Sequence, residues 1–420
     1  MRAGLSWPSL AGRAVIGACI MAVAPATSSG TVQAQGAVVA LTRAGAIDAA
    51  ERQGLRGAFA REDSLAAHAE LDAARGYPNP AANLTYSRAV PLYHGVLSLP
   101  VDYPWVRGAR VRAAELGLRS AAYRYAFERA LVRYDADTAY TGALAAAGHA
   151  ALSHRNAIGA DSLRRLAMVR REAGDASDLD VDLATINAGQ AANTAAADSI
   201  AAIGALLDLQ SVLGLPSDHA EVTLSDSLAM PDSGAAGTDP HAEPSGQPLP
   251  VAAAAAQAES DESALSFARR SVLAQPSIQA GLEGGDPSQP YLMPTVGVSL
   301  PIPLFNRDHG EIALATANRD RARLELEAAR RESAAEIARA ARELAAALTR
   351  ARRDSAMLDA ADRVAARSLV AFAEGASGLA SVIEAQRSAR DARGQYLDDL
   401  AAANTAVATA RLAGMTAVSP

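Results

Sequence analysis

Two stretches of this chain alternate between apolar and small or polar residues, and each runs into a long helical pattern. In the first, Leu97, Leu99, Val101 and Tyr103 face one way while Ser98, Pro100 and Asp102 face the other. That is the period-two signature of a strand. A shorter alternating segment, Leu84-Thr85-Tyr86-Ser87, precedes it across a loop holding Pro91 and Gly95. In the second stretch Ile278, Ala280 and Leu282 alternate, and a loop follows over 284–290. Val296, Val298, Leu300 and Ile302 then alternate against Gly297, Ser299 and Pro301. The pattern predicts four strands in two hairpins.

The helical patterns are unusually long. Residues 107–172 and 308–373 contain no proline, and at 1.5 Å per residue each 66-residue segment spans roughly 99 Å. In the later segment Ile337, Ala341, Leu344, Leu348, Ala351, Ser355 and Leu358 recur at 4,3,4,3 spacing, which predicts a coiled-coil seam of mostly small residues. Return helices are expected over about 178–214 and 379–413. A further helix, capped by Thr42, is expected to run to about Arg75, where Tyr77-Pro78-Asn79-Pro80 stops it.

These elements occur twice, 201 residues apart (299 − 98), with Val96-Leu97-Ser98-Leu99-Pro100-Val101 answered by Gly297-Val298-Ser299-Leu300-Pro301-Ile302. Each copy continues through a glycine, Gly108 or Gly310, into its long helix. Each then reverses at a Gly/Ser turn, at Gly174-Asp175-Ala176-Ser177 and at Gly375-Ala376-Ser377-Gly378. A duplicated unit of this kind cannot bury itself as an ordinary globule. The expected organisation is a leader over 1–34, a first repeat over 35–228, a linker over 229–262, a second repeat over 263–414 and a tail over 415–420. Helix is expected to resume within 251–274.

Composition narrows the class. Aromatic residues make up only 4% and alanine dominates the apolar half, which favours close helix–helix contact over a bulky core. All 39 basic residues are arginine, yet 46 acidic residues outnumber them, and a formal charge of −7 argues against nucleic acid as a partner. At the N-terminus, Arg2 and Arg13 precede the apolar run 14–24, and Val32-Gln33-Ala34 supplies the small residues of a signal-peptidase site. That run is too short to span a bilayer. Cys19, the single cysteine, also sits in a passable lipoprotein box, Ile16-Gly17-Ala18-Cys19.

Four strands cannot close a barrel, and open edges do not survive in lipid. Three chains pooling their strands would supply twelve, an even number within the range of outer-membrane barrels. Tyr86, Tyr103 and Trp105 near the strand ends suit a membrane interface. The alternative is a periplasmic coiled-coil scaffold or adaptor-like protein without a pore, whose hairpins would form a solvent-facing sheet.

The chain resembles the TolC-like outer-membrane efflux family. The resemblance is carried by residues 294–307, Pro-Thr-Val-Gly-Val-Ser-Leu-Pro-Ile-Pro-Leu-Phe-Asn-Arg, continuing Asp308-His309-Gly310-Glu311-Ile312. The first-copy partner ending Val106-Arg107-Gly108, the Gly-x-x-Ser turns and the tandem repeat also match. It implies a mainly α fold with a small β part. In that fold, three chains form a twelve-stranded outer-membrane barrel above a long periplasmic helical tunnel. It implies a passive duct fed by an inner-membrane pump, of resistance-nodulation-division type, through a periplasmic adaptor, and no cofactor. Leu304-Phe305-Asn306-Arg307 with Gly310-Glu311-Ile312 is most similar to the branch serving heavy-metal cation pumps.

The candidate functional residues lie at the turns. Roughly 99 Å of helix places Gly174, Ser177, Gly375 and Ser377 at the end remote from the strands, where the family engages its adaptor. Glycine there permits the left-handed backbone of a helix reversal, and serine can cap the following helix. Arg171, Leu179 and Leu379 flank the turns as contact residues. Asp178 and Asp182 share a helix face at i, i+4, so a trimer would repeat them into an acidic gate ring favouring cations. His149 and His154, five apart, do not share a helix face as two metal ligands would, and neither they nor Asp308-His309 are read as a metal site. No catalytic pair or phosphate loop is evident, and no enzymatic activity is expected.

Overall fold

The computed structural model describes residues 39–220, 222–231, 246–272, 275–302 and 307–417. The expected leader with Cys19, most of the connector's loose half and the 303–306 portion of the family motif fall outside the described residues. The elements in order are β1 (Val39–Leu41), α1 (Arg43–Gln53), α2 (Leu55–Arg75), β2 (Ala81–Tyr86), β3 (Tyr93–Pro100), α3 (Pro104–Glu172) and α4 (Asp178–Val212). They continue with β4 (Val222–Leu224), α5 (Leu249–Arg270), β5 (Ser277–Gly284), β6 (Met293–Ser299), α6 (His309–Ala373) and α7 (Leu379–Ala413).

Each long helix is matched by shorter ones laid along it. The 69 residues of α3 and the 65 of α6 span roughly 104 and 98 Å. Beside α3 lie α4 and, further along, α1 and α2; beside α6 lie α7 and α5. The N-terminal helix is not continuous as expected but breaks at Gly54 (φ −63°, ψ 131°). A Cβ at Gly54 would stand 2.4 Å from the Ala50 carbonyl oxygen and 3.4 Å from that of Val212. One at Gly214 (φ +73°) would stand 2.4 Å from the Gln53 carbonyl oxygen. Two backbones therefore cross there at a distance only glycine allows. The expected connector boundary at 262 falls inside α5.

The strands form one four-stranded antiparallel sheet in the order β2-β3-β5-β6, so the two hairpins lie side by side with β2 and β6 as open edges. Strand β3 ends at Pro100, and Tyr103, expected in the strand, is instead the residue before α3, its ring stacked on Trp105 at 4.6 Å. The register brings Leu84, Leu97, Leu99, Ile278, Leu282, Val296 and Val298 to one face, all at least half exposed or nearly so. Asn83, Thr85, His94, Ser98, Gln279, Glu283 and Thr295 occupy the other. The sheet thus has a bare apolar face and a polar face.

A second, two-stranded parallel pair, β1 with β4, was not expected. The Tyr140 hydroxyl, on α3, donates toward the Leu41 carbonyl at 2.8 Å and the Asp226 carboxylate at 3.0 Å. Ala46, Ala50, Val132, Leu209 and Leu213 complete this core. Buried Asp137 accepts from Arg43 at 2.9 Å, with Arg411 at 4.0 Å.

The α6 seam is a heptad, as expected, and it fails only at Ser355. Ile337, Ala341, Leu344, Leu348 and Leu358 are half-buried and Ala351 is buried as expected, but the most deeply buried positions beside them are Ala340, Ala347 and Asp354. Alanine is chosen over leucine because small residues let α6 and α7 approach closely. Ser355 is exposed.

Asp354 faces Asp399 of α7, and both are buried. The hydrogen bond between the two carboxyls, burial and the Asp399 charge push Asp354 above the usual carboxylate range. Burial acts on Asp399 in the same upward direction, but hydrogen bonds from Asp354, Arg350 and Gln395 outweigh it and hold Asp399 low. The fold thus favours a proton held between the two carboxyls. A raised folded pKa gives a stabilising contribution that is complete below the unfolded value near 3.9 and is lost as pH rises through the folded value. Asp354→Asn donates without needing that proton. Its melting temperature relative to the parent should therefore climb between pH 4 and pH 8, and a flat difference would count against a shared proton.

Candidate functional site

The two helix reversals lie at the ends of α3 and α6, farthest along those helices from the sheet. Both helices finish in a Schellman turn. Asp175 N–H donates to the Arg170 carbonyl (2.7 Å) in one, and Ala376 N–H to the Ala371 carbonyl (2.8 Å) in the other. Gly174 (φ +85°) and Gly375 (φ +74°) take the left-handed position that the turn requires. A Cβ at Gly174 would meet nothing within 4 Å, so the backbone angle, not crowding, selects glycine there.

Beyond the glycines the reversals differ. Ser177 caps α4 in a reciprocal box: its hydroxyl accepts from Asp180 N–H at 3.2 Å, and the Asp180 carboxylate accepts from Ser177 N–H at 3.0 Å. Hydrogen bonds from the Ser177 hydroxyl and backbone hold Asp180 below the usual range. Ser377 does not cap α7. Gly378 takes that place with no side-chain bond, and the Ser377 hydroxyl is buried without a partner among the described residues. The 201-residue repeat explains this, because it superposes Ser177 on Gly378 and Ser377 on Ala176.

The flanking residues divide in the same way. Leu179 is 65% exposed, whereas Leu379 is 1% exposed and packs with Leu163, Ala167, Ala184, Phe372 and Val382. Leu379 is therefore an anchor and not a free contact residue. Asp178 is engaged by Arg171 at 2.5 Å across the turn, while Asp182 is exposed. Arg170 joins the two reversals, its guanidinium 4.7 Å from the Phe372 ring centroid and donating to the Phe372 carbonyl at 2.6 Å. Arg170 and Phe372 are 202 residues apart, and no local pattern announced their contact.

His149 pairs with Asp398 across α3 and α7 at 2.8 Å. His154 is exposed, and His309 opens α6 after Asp308 in a left-handed conformation (φ 54°). Among the described residues no three His, Cys, Asp or Glu side chains are grouped to hold a metal ion.

No protein-family model and no curated protein matches the chain. Solved structures do. A membrane protein from Pseudomonas aeruginosa superposes with a TM-score of 0.74 at 16% identity, over 89% of this chain and 93% of that one. CusC, in a structure concerned with folding and transmembrane channel formation, gives 0.73 at 15% identity over 91% and 94%. The CmeC outer membrane channel of Campylobacter jejuni gives 0.72 at 14% identity over 89% and 85%. The chain has the TolC-like fold. In this chain the apolar sheet face and the two reversals lie at opposite ends of α3 and α6.

Proposed function

We propose that three copies of this chain form a passive duct through the outer membrane, continued across the periplasm by the helices. The observation that carries this reading is the two-faced sheet with open edges, whose apolar face none of the described residues covers. Edge β6 of one copy pairing with edge β2 of the next closes twelve strands, with lipid against Leu97 and Val296 and water against Gln279 and Thr295. A soluble scaffold would leave that face in water. Helix α4 is long and apolar enough to cross a membrane, but its antiparallel partner α3 carries many arginines, together with Asp135, Asp137 and Asp161. Its exposed Ile186, Ile200 and Ile203 instead suit packing between copies. The periplasmic reversals, with Gly174, Ser177, Leu179, Gly375 and Ser377, meet a periplasmic adaptor, which connects the duct to an inner-membrane pump of resistance-nodulation-division type. Heavy-metal cations are the proposed cargo, on the resemblance around Gly310-Glu311-Ile312. Asp182, repeated by three-fold symmetry, favours them at the mouth.

Mass measurement in non-ionic detergent should give a trimer that resists carbonate washing of membranes. A stable inserted monomer would overturn the reading. Deleting the gene should lower resistance to heavy-metal salts, and unchanged resistance would remove that cargo while leaving the duct.

A further inference from the structure

A cavity of about 490 Å³ lies between the two helical hairpins, bounded by α3, α4, α6 and α7. Its α3 wall runs from Arg155 to Leu163, which by helical rise is roughly 14–26 Å from the end of α3. Four guanidiniums, those of Arg155, Arg387, Arg390 and Arg393, line it. Two carboxylates answer them: Asp391, at 3.8 Å from Arg387 and 3.2 Å from Arg390, and Asp362, at 2.7 Å from Arg393. Arg155 makes no ion pair among the described residues. The count is thus four cations against two anions.

A second donor points the same way. The side-chain amide nitrogen of Asn156, on this cavity's wall, is buried and donates to nothing among the described residues. An adjoining cavity of about 300 Å³ shares Asn156 and Arg390 and holds Asp198 and Asp398, but His149 already occupies Asp398. Leu163 and Ile383 give the first cavity an apolar side. Excess positive charge, an unmet buried donor and an apolar wall in a space of drug-sized volume describe a site for one kind of ligand.

We propose that this inter-hairpin cavity binds an amphiphilic organic anion, an aromatic sulfonate or carboxylate. Its acidic group would sit between Arg155 and Arg387 and accept from Asn156, and its ring would lie against Leu163 and Ile383. The two arginines supply charge-assisted hydrogen bonds, and neither is tied to a buried partner, so each can be replaced without disturbing a core contact.

Equilibrium dialysis of the full-length protein in a maltoside detergent, with 2-naphthalenesulfonate as the probe, tests this without requiring export. Saturable binding of one probe per chain is expected. Arg155→Gln and Arg387→Gln should each weaken it about tenfold or more. Arg331→Gln, on the exposed face of α6 where Arg331 pairs with Glu327, should leave it unchanged. The uncharged 2-naphthol should not bind saturably. Absence of saturable binding would overturn the proposal, as would equal loss in Arg331→Gln. Equal binding of naphthol would also overturn it, leaving an apolar cleft without anion recognition.

Discussion

Replacing Val296 with arginine should abolish insertion of the protein into the outer membrane. Val296 is 84% exposed, sits on the apolar face of β6 and pairs with Ala280, so its side chain has nowhere to go but outward. Arginine on the lipid face near the bilayer midplane costs about 2–4 kcal/mol, and a trimer carries it three times, for roughly 6–12 kcal/mol in all. That is comparable to the whole stability of many folded domains. Thr295→Arg, one residue away on the polar face, should insert almost normally, because in the proposed trimer that face is turned toward the duct interior. Membrane fractionation followed by detergent extraction separates the two outcomes. If both variants inserted equally, neither face could be the lipid face.

Replacing Gly174 or Gly375 with valine should abolish export and leave insertion nearly intact. Both glycines hold positive φ, and a β-branched residue there carries strain on the order of 1–2 kcal/mol or more. The turn can relieve it only by shifting or fraying the helix end. At Gly375 the displacement would reach Arg170, whose guanidinium lies 3.9 Å from where a Cβ would stand, and so would pass to the other reversal. The sheet lies roughly 100 Å away along α3 and α6 and should hardly respond. Trimer yield should therefore match the parent, while adaptor cross-linking and substrate resistance fall. Full resistance with intact adaptor contact would mean that docking uses the helix flanks and not the turns.

How much of this was legible depended on how local each cause is. The four sheet strands and the long helices follow from periodicity along the chain, and Gly174 and Gly375 follow from the chemistry of helix reversal. Strands β1 and β4 have three residues each, too few to display a period, and they exist because Tyr140 and Asp226 gather them from opposite ends of the first half. The close approach at Gly214 has no local signature, because the Gln53 carbonyl that crowds it lies 161 residues away in sequence (214 − 53). The α6 seam follows from Leu344, Leu348 and Ala351, but hydrophobicity alone does not single out the more deeply buried Ala347 and Asp354, which close packing favours. Ser377 resembles Ser177 by residue type, but the repeat offset pairs Ser177 with Gly378, the residue that precedes α7.

That mismatch between the two caps separates the conditions under which each reversal loosens. The first is pinned by a charged hydrogen-bond pair. With Asp180 held low, the cap is complete above the ordinary aspartate range and is lost only as pH falls through that lowered value. The second, lacking a cap, is held by buried Leu379, Val382 and Phe372, an attachment that acid leaves alone and that weakens on cooling. Acid should thus free the 178–181 amides to exchange first, and cold the 379–382 amides. A ring of six hairpins built from three such chains would alternate acid-sensitive and cold-sensitive ends around its circumference.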